Sequence, residues 1–143
     1  MFVKQLSVFV ENRAGRLAAA CDALAKKNIN ILALSLADTA EFGILRLIVT
    51  DAEVGRRAMK DAGFTVIVNE VLAVEVEDRP GGLAAILQAL DKRGVNVEYM
   101  YAFSSIKTQR AALIFRFEDN AAAIQALTDA GFNVMKKMDV LGE

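Results

Sequence analysis

The sequence predicts an α+β chain: a β-α-β-β-α-β order written twice, each copy folding helices onto one face of a four-stranded, antiparallel-type sheet. Three observations predict it. First, the chain repeats. Residues 6–17 read LSVFVENRAGRL and residues 72–83 read LAVEVEDRPGGL; ALAKKNINI (23–31) matches ALDKRGVNV (89–97), and DAGFTV (61–66) matches DAGFNV (129–134). The offset grows from about 66 to about 68 residues, which places two extra residues in the turn around Ser104–Gln109. Second, each copy switches between a period of two and a helical period in the same order. Third, no Gly/Ser/Pro linker separates the copies, so two small domains, 1–69 and 70–143, are expected to meet near Asn69–Glu70.

Each element has a local reason. Leu6, Val8 and Val10 alternate with Ser7, Phe9 and Glu11, as a half-buried strand requires. A turn follows at Asn12–Gly15. Leu17, Cys21 and Leu24 then recur at helical spacing, up to about Lys27, and Asn28 suits the helix stop, as Gly94 does in the second copy. Residues 29–37 read as a strand, 38–41 as a turn and 42–49 as the next strand. Asp51 is placed to cap a helix that runs to about Ala62, where Gly63 ends it. Residues 64–68 form the last strand of the copy. The second copy predicts strand 71–77, helix 82–93, strands 95–103 and 111–117, helix 119–130 and strand 132–138. This is the split βαβ, or ferredoxin-like, arrangement, duplicated.

Composition narrows the function. The 143 residues carry 17 Lys+Arg against 18 Asp+Glu, a net charge of −1, and 55% of them are apolar, against the usual 45–50% or so. There is no His, so no imidazole base, nucleophile partner or metal ligand. One Cys allows no intrachain disulfide or Cys cluster and suits a reducing, cytosolic compartment. The balanced charge argues against nucleic-acid binding. The N-terminus shows no signal-peptide pattern and no stretch is apolar enough to span a membrane. No cofactor is expected. The apolar excess is expected in packing and association, with a homodimer covering edge strands and apolar faces.

The informative segment is the first strand-to-helix loop and its copy: Asn12-Arg13-Ala14-Gly15-Arg16-Leu17 and Asp78-Arg79-Pro80-Gly81-Gly82-Leu83. A glycine there lets backbone approach a ligand closely. The open N–H groups and positive dipole end of the following helix favour a carboxylate. Asn12 and Asp78 can accept from an ammonium group. A small zwitterion meets both needs.

The pattern (D/N)-R-(P/A)-G-x-L, followed about 13 residues later by (I/V)-N-(I/V), resembles the ACT-domain family of small amino-acid-sensing regulatory domains. The resemblance covers essentially the whole chain, once per copy, and is nearest to short proteins built of two tandem ACT domains. It implies ligand held between the loop of one module and the start of the second strand of its neighbour. The residues concerned would be the two loops above together with Asn30-Ile31 and Asn96-Val97. In the family's serine-sensing members a loop asparagine and a second-strand asparagine bind the amino acid; Asn12 and Asn30 match them. A histidine precedes the motif there, where this chain has Val10 and Val76, and the first loop has Ala14 where the second keeps Pro80. The implied function is allosteric: a sensor without catalysis, whose occupancy shifts an assembly or an unidentified enzyme or regulator partner; the alternative is a regulatory partner of an amino-acid biosynthetic enzyme such as acetolactate synthase.

Plainer roles stand beside these. Gly15 and Gly81 can simply serve the turn, and Pro80 is favoured at a helix start. Arg13 and Arg79 can pair with a nearby acid, and Asn30 and Asn96 can close a turn. Cys21 is expected to be a buried, inert thiol. Tyr99 and Tyr101 should share one strand face with Met100 on the other, as sheet packing or as a ligand wall. The enzyme alternative is a small hydrolase of the acylphosphatase type using Arg13, Gly15 and Asn30. An RNA-binding module of the same strand order would need more aromatics and a basic surface, and a metal carrier would need a CxxC.

Overall fold

A computed structural model describes residues 2–38, 41–103 and 111–141. The elements follow in the order β1 (Val3–Glu11), α1 (Arg16–Ala25), β2 (Ile31–Asp38), β3 (Phe42–Val49), α2 (Ala52–Asp61), β4 (Thr65–Val76), α3 (Gly82–Asp91), β5 (Val97–Phe103), β6 (Ala111–Phe117), α4 (Asn120–Asp129) and α5 (Lys137–Leu141). The expected insertion around Ser104–Gln109 lies outside the described residues, as do residues 39–40 of the expected turn. The chain divides into two units, residues 4–69 and residues 70–143 with the first residues of the chain.

In the first unit the strand order is β2-β3-β1-β4, the order of a split βαβ fold. Both β1 and β2 run antiparallel to β3, with Leu6 opposite Leu47, Val8 opposite Leu45 and Val10 opposite Gly43. That register puts Leu6, Val8, Val10, Leu45, Leu47 and Val49 on one face, where Ala20 and Leu24 of α1, Met59 of α2 and Phe64 close the core. The other face carries a buried polar chain. The Ser7 hydroxyl donates to Asn69 Oδ1 at 2.7 Å and accepts from Gln5 Nε2 at 3.1 Å, which satisfies groups that burial would otherwise penalise.

The second unit repeats this with β4, β6 and β5 in that order. Leu72, Val74 and Val76 meet Ile86 and Leu90 of α3 and Ala123, Ala126 and Leu127 of α4, with Phe115 and Phe117 stacked 5.3 Å apart on the same strand face. Met100 packs against this core, which puts Tyr99 and Tyr101 on the opposite strand face.

Helix ends obey the sequence. Asp51 accepts from Val54 N–H and Asp119 from Ala122 N–H, each at 3.1 Å. Asn28 (φ 57°) and Gly94 (φ 66°) take the left-handed conformation, and the next residue closes back: Ile29 N–H to Leu24 O and Val95 N–H to Leu90 O, both 3.1 Å. The copies share a bulge as well. The register of β2 shifts between Ile31 and Ala33, and that of β5 between Val97 and Tyr99.

Three expectations need correction. The strands expected at 64–68 and 71–77 are one strand, β4, because Asn69-Glu70 contains neither Gly nor Pro to turn the chain between two β-branched runs. The strand expected at 132–138 shrinks to a bridge, Val134 opposite Val74, flanked by Glu75 N–H to Asn133 O (3.0 Å) and Met135 N–H to Ala73 O (2.8 Å). From Lys136 the chain turns helical instead: Val140 N–H bonds Lys136 O, α5 forms, and Val140 is buried. Finally, Cys21 is half-buried rather than buried, and Leu17 is 40% exposed. The inward stripe of α1 is Ala20 and Leu24, whose i, i+4 spacing and small first member bring the helix onto the sheet. Leu17, in the first turn, stands at the sheet's end beside the loop.

Candidate ligand-binding loops

The loop after β1 is built by backbone rather than side chains. Asn12 N–H bonds Glu41 O at 2.9 Å, and Arg13 N–H reaches back to Glu11 O at 2.8 Å. Gly15 then takes φ 88° as the residue before α1, in open space where an added Cβ would meet nothing within 4 Å. Glycine is needed there for its dihedral, not for room. No side chain caps α1, so its first N–H groups, carrying the positive end of the helix dipole, face the loop. Gly81 repeats the arrangement at φ 86°, again with no cap on α3.

In the first unit these residues border a cleft of about 310 Å³ lined by Val10, Glu11, Asn12, Arg13, Ala14, Gly15, Leu17, Leu36 and Gly43. Five of the six expected loop residues therefore come together here. Leu36 (50% exposed) and Gly43 were not anticipated. The signal for Gly43 is a glycine inside a strand, which marks a close approach: a Cβ there would sit 3.0 Å from Leu36 Cδ1. Asn12 presents its amide with no hydrogen-bond partner among the described residues. Arg13 Nε lies 2.8 Å from Glu11 Oε2, and Arg79 pairs in the same way with Glu77.

Arg16 turns away from this cleft. Its guanidinium lies 4.6 Å from the centre of the Phe64 ring, and its Nε is buried without a hydrogen-bond partner. Asn30 and Ile31 lie at the opposite end of the sheet. Ile31 opposes Val49 and Asn30 is bonded to Thr50, whereas the loop adjoins Phe42 and Gly43 at the other end of β3. The span of β2 separates them by about 20 Å at the usual rise per residue. One unit does not bring Asn12 and Asn30 together.

In the second unit Arg79 and Gly82 join a different cleft of about 320 Å³, with Glu75, Glu77, Ala85, Gly131, Phe132 and Asn133. Asp78, Pro80, Gly81 and Leu83 stand exposed around the loop, and Asn96-Val97 mark the far end of β5, as Asn30-Ile31 do for β2. Among the described residues no group of three acidic, Cys or His side chains could hold a metal, and no helix is long and apolar enough to cross a membrane.

Comparison with known proteins agrees with this architecture. Protein BT0572 from Bacteroides thetaiotaomicron has 37% sequence identity over 100% of this chain and 98% of its own, with a TM-score of 0.92. The ligand-free regulatory subunit of aspartate kinase from Thermus thermophilus superposes with a TM-score of 0.63 at 20% identity, over 90% and 91% of the two chains. That from Thermus flavus gives 0.58 at 19%, over 89% and 91%. No curated protein matches the sequence. The ACT domain pair family matches residues 1–140. ACT domains in general serve regulation and amino-acid sensing rather than catalysis, and this chain belongs to the family of ACT domain pairs.

Proposed function

We propose that the chain is a sensor of a free amino acid, with residues 1–69 and 70–143 as its two modules, and that occupancy regulates an assembly or a partner enzyme. One observation carries this reading. The cleft after β1 combines an uncapped helix N-terminus, an unpaired Asn12 amide and an apolar wall of Val10, Leu17 and Leu36. The helix end suits an α-carboxylate and the Asn12 carbonyl an α-ammonium group. The wall suits an aliphatic side chain. Arg13, held by Glu11, shapes the rim. Within one module the second-strand start, Asn30-Ile31 or Asn96-Val97, lies at the wrong end, so on this reading a second copy of the chain, in a homodimer, supplies it. An enzyme of amino-acid biosynthesis is the partner most in keeping with fold relatives that are regulatory subunits of aspartate kinase.

The effect of a ligand on such an assembly equals its differential affinity for the alternative arrangements. A thermal-shift screen of the twenty amino acids tests the reading. Aliphatic amino acids should raise the melting temperature at millimolar concentration, and Asn12→Ala should abolish the rise. Asn30→Ala should do the same if the second-strand start completes a site. No shift with any amino acid at that concentration would sink the proposal.

A further inference from the structure

Gly43 and Leu36 both line the cleft after β1, and the second copy exchanges both. The strand registers make the correspondence plain. Gly43 opposes Val10, and its duplicate Ala111 opposes Val76. Leu36 opposes Leu45, and its duplicate Ala102 opposes Leu113. A glycine and a leucine in the first unit are thus two alanines in the second.

The backbone does not ask for a glycine in β3. Gly43 stays out of the left-handed region that Gly15, Gly63, Gly81, Gly94 and Gly131 adopt, and a glycine inside a strand weakens it. What the glycine supplies is room. A Cβ built on Gly43 would stand 3.0 Å from Leu36 Cδ1 and 3.4 Å from the Ala37 carbonyl oxygen. Carbon atoms in ordinary contact lie about 3.5–4.0 Å apart, so the Leu36 methyl already uses the seat of the missing Cβ. Leu36 rests there as a wall of the cleft, half-exposed, with apolar surface left for an occupant to cover. In the second unit Ala102 ends at its own Cβ, and the Cβ of Ala111 fills the seat.

We infer that Leu36 is the specificity-determining residue of this cleft and Gly43 the residue that positions it, and that the pair admits an aliphatic amino-acid side chain and excludes an aromatic one. The inference rests on the amino-acid reading above and adds what selects among amino acids. Val10 of β1, Leu17 of α1 and Leu36 of β2 bound the apolar space on three sides. A branched aliphatic group fits among them, whereas a ring needs the volume that Leu36 occupies. Discrimination by an apolar wall is a matter of size, worth about tenfold or more for each methylene that is missing or in excess.

Free leucine, alanine and phenylalanine, titrated separately into the full chain, test this. The amide NMR signals of Asn12 and Gly15 are followed, because they report the first unit's cleft and not the second unit's loop. The parent should bind leucine about tenfold more tightly than phenylalanine, and Leu36→Ala should remove that preference. Gly43→Ala lifts Leu36 from its seat and should weaken leucine about tenfold relative to alanine. The double variant of Gly43→Ala with Leu36→Ala rebuilds the pair that the second unit already packs. It should behave as Leu36→Ala does, a readout that survives if either single variant fails to fold. Purely structural damage would weaken all three amino acids alike and leave their ratios unmoved. Binding with unmoved ratios, or equal affinity of the parent for leucine and phenylalanine, would overturn the inference and leave the amino-acid reading standing. Silence of both amides with all three ligands would overturn the inference as well, and a silent thermal-shift screen would take the amino-acid reading with it.

Discussion

Adding one methyl group at Gly82 should cost the fold more than deleting the whole Arg16 side chain, although the two positions are duplicates. The Cβ of Gly82→Ala would meet the Glu77 carbonyl oxygen at 2.2 Å, well inside van der Waals contact. The obstacle is backbone at the end of a strand, which cannot rotate aside as a side chain can. The loop must open, lengthening or breaking the 3.0 Å bond from Gly82 N–H to Arg79 O. Overpacking of this kind costs about 1–3 kcal/mol, and a midpoint near 2 kcal/mol lowers the melting temperature by about 4–8 °C in a chain of this size. Arg16→Ala keeps its Cβ, loses a stacking contact on Phe64 worth about 0.5–1 kcal/mol, and at the same time removes a buried Nε that has no hydrogen-bond partner. Urea unfolding measures both. The chain has no Trp and two Tyr, both on β5, so tyrosine emission reports the second unit directly. A Gly82→Ala protein within about 0.5 kcal/mol of the parent, or less affected than Arg16→Ala, would refute the reasoning.

Three further outcomes are expected. Ser7→Ala removes the 2.7 Å hydrogen bond to half-buried Asn69 Oδ1 and the acceptor of the buried 3.1 Å bond from Gln5 Nε2, and should cost about 1–3 kcal/mol in urea unfolding. Asp51→Ala and Asp119→Ala each remove one N-terminal cap and should cost about 1 kcal/mol apiece, with Asn restoring most of it at either site. Hydrogen bonds from Arg93 and then Gln125 hold the Asp129 carboxyl below its usual range. A lowered folded-state value means that this contribution to stability is present at neutral pH and is lost as acid titrates Asp129 below the ordinary carboxylate range. Arg93→Ala should therefore move the Asp129 NMR titration upward, and an unmoved titration would remove the ion pair as its cause.

Much of this was legible in the sequence because duplication prints the same instructions twice. The caps Asp51 and Asp119 and the left-handed stops Asn28 and Gly94 are local devices, settled within five residues. What escaped was decided at longer range. Leu17 and Cys21 have the right spacing for an inward stripe, yet their burial depends on how far the sheet extends beneath the helix. Phe132 and Val134 look like the start of a strand, but pairing with β4 ends after three residues, when α5 becomes the better use of the chain. Of the loop residues, Asn12 through Gly15 and Leu17 were brought together as the pattern suggested. The role of Arg16 could have been suspected from the one loop position where the copies exchange a cation for a glycine.

The paired bulges at Ile31/Ala33 and Val97/Tyr99 work like a gear change in the strand. Ile31 and Ala33 are two residues apart, so an unbroken strand would turn them to the same face. The bulge instead leaves Ile31 against the core and sends Ala33 to the opposite face beside Ile48. Parity before the bulge is thereby uncoupled from parity after it. The segment that enters the strand, Asn28–Ile31 in one copy and Gly94–Val97 in the other, can gain or lose a residue by absorbing or restoring the bulge. Leu34 and Met100 beyond it keep their faces throughout. Sequence can drift at the entrance to the strand while the sheet behind it stays in step.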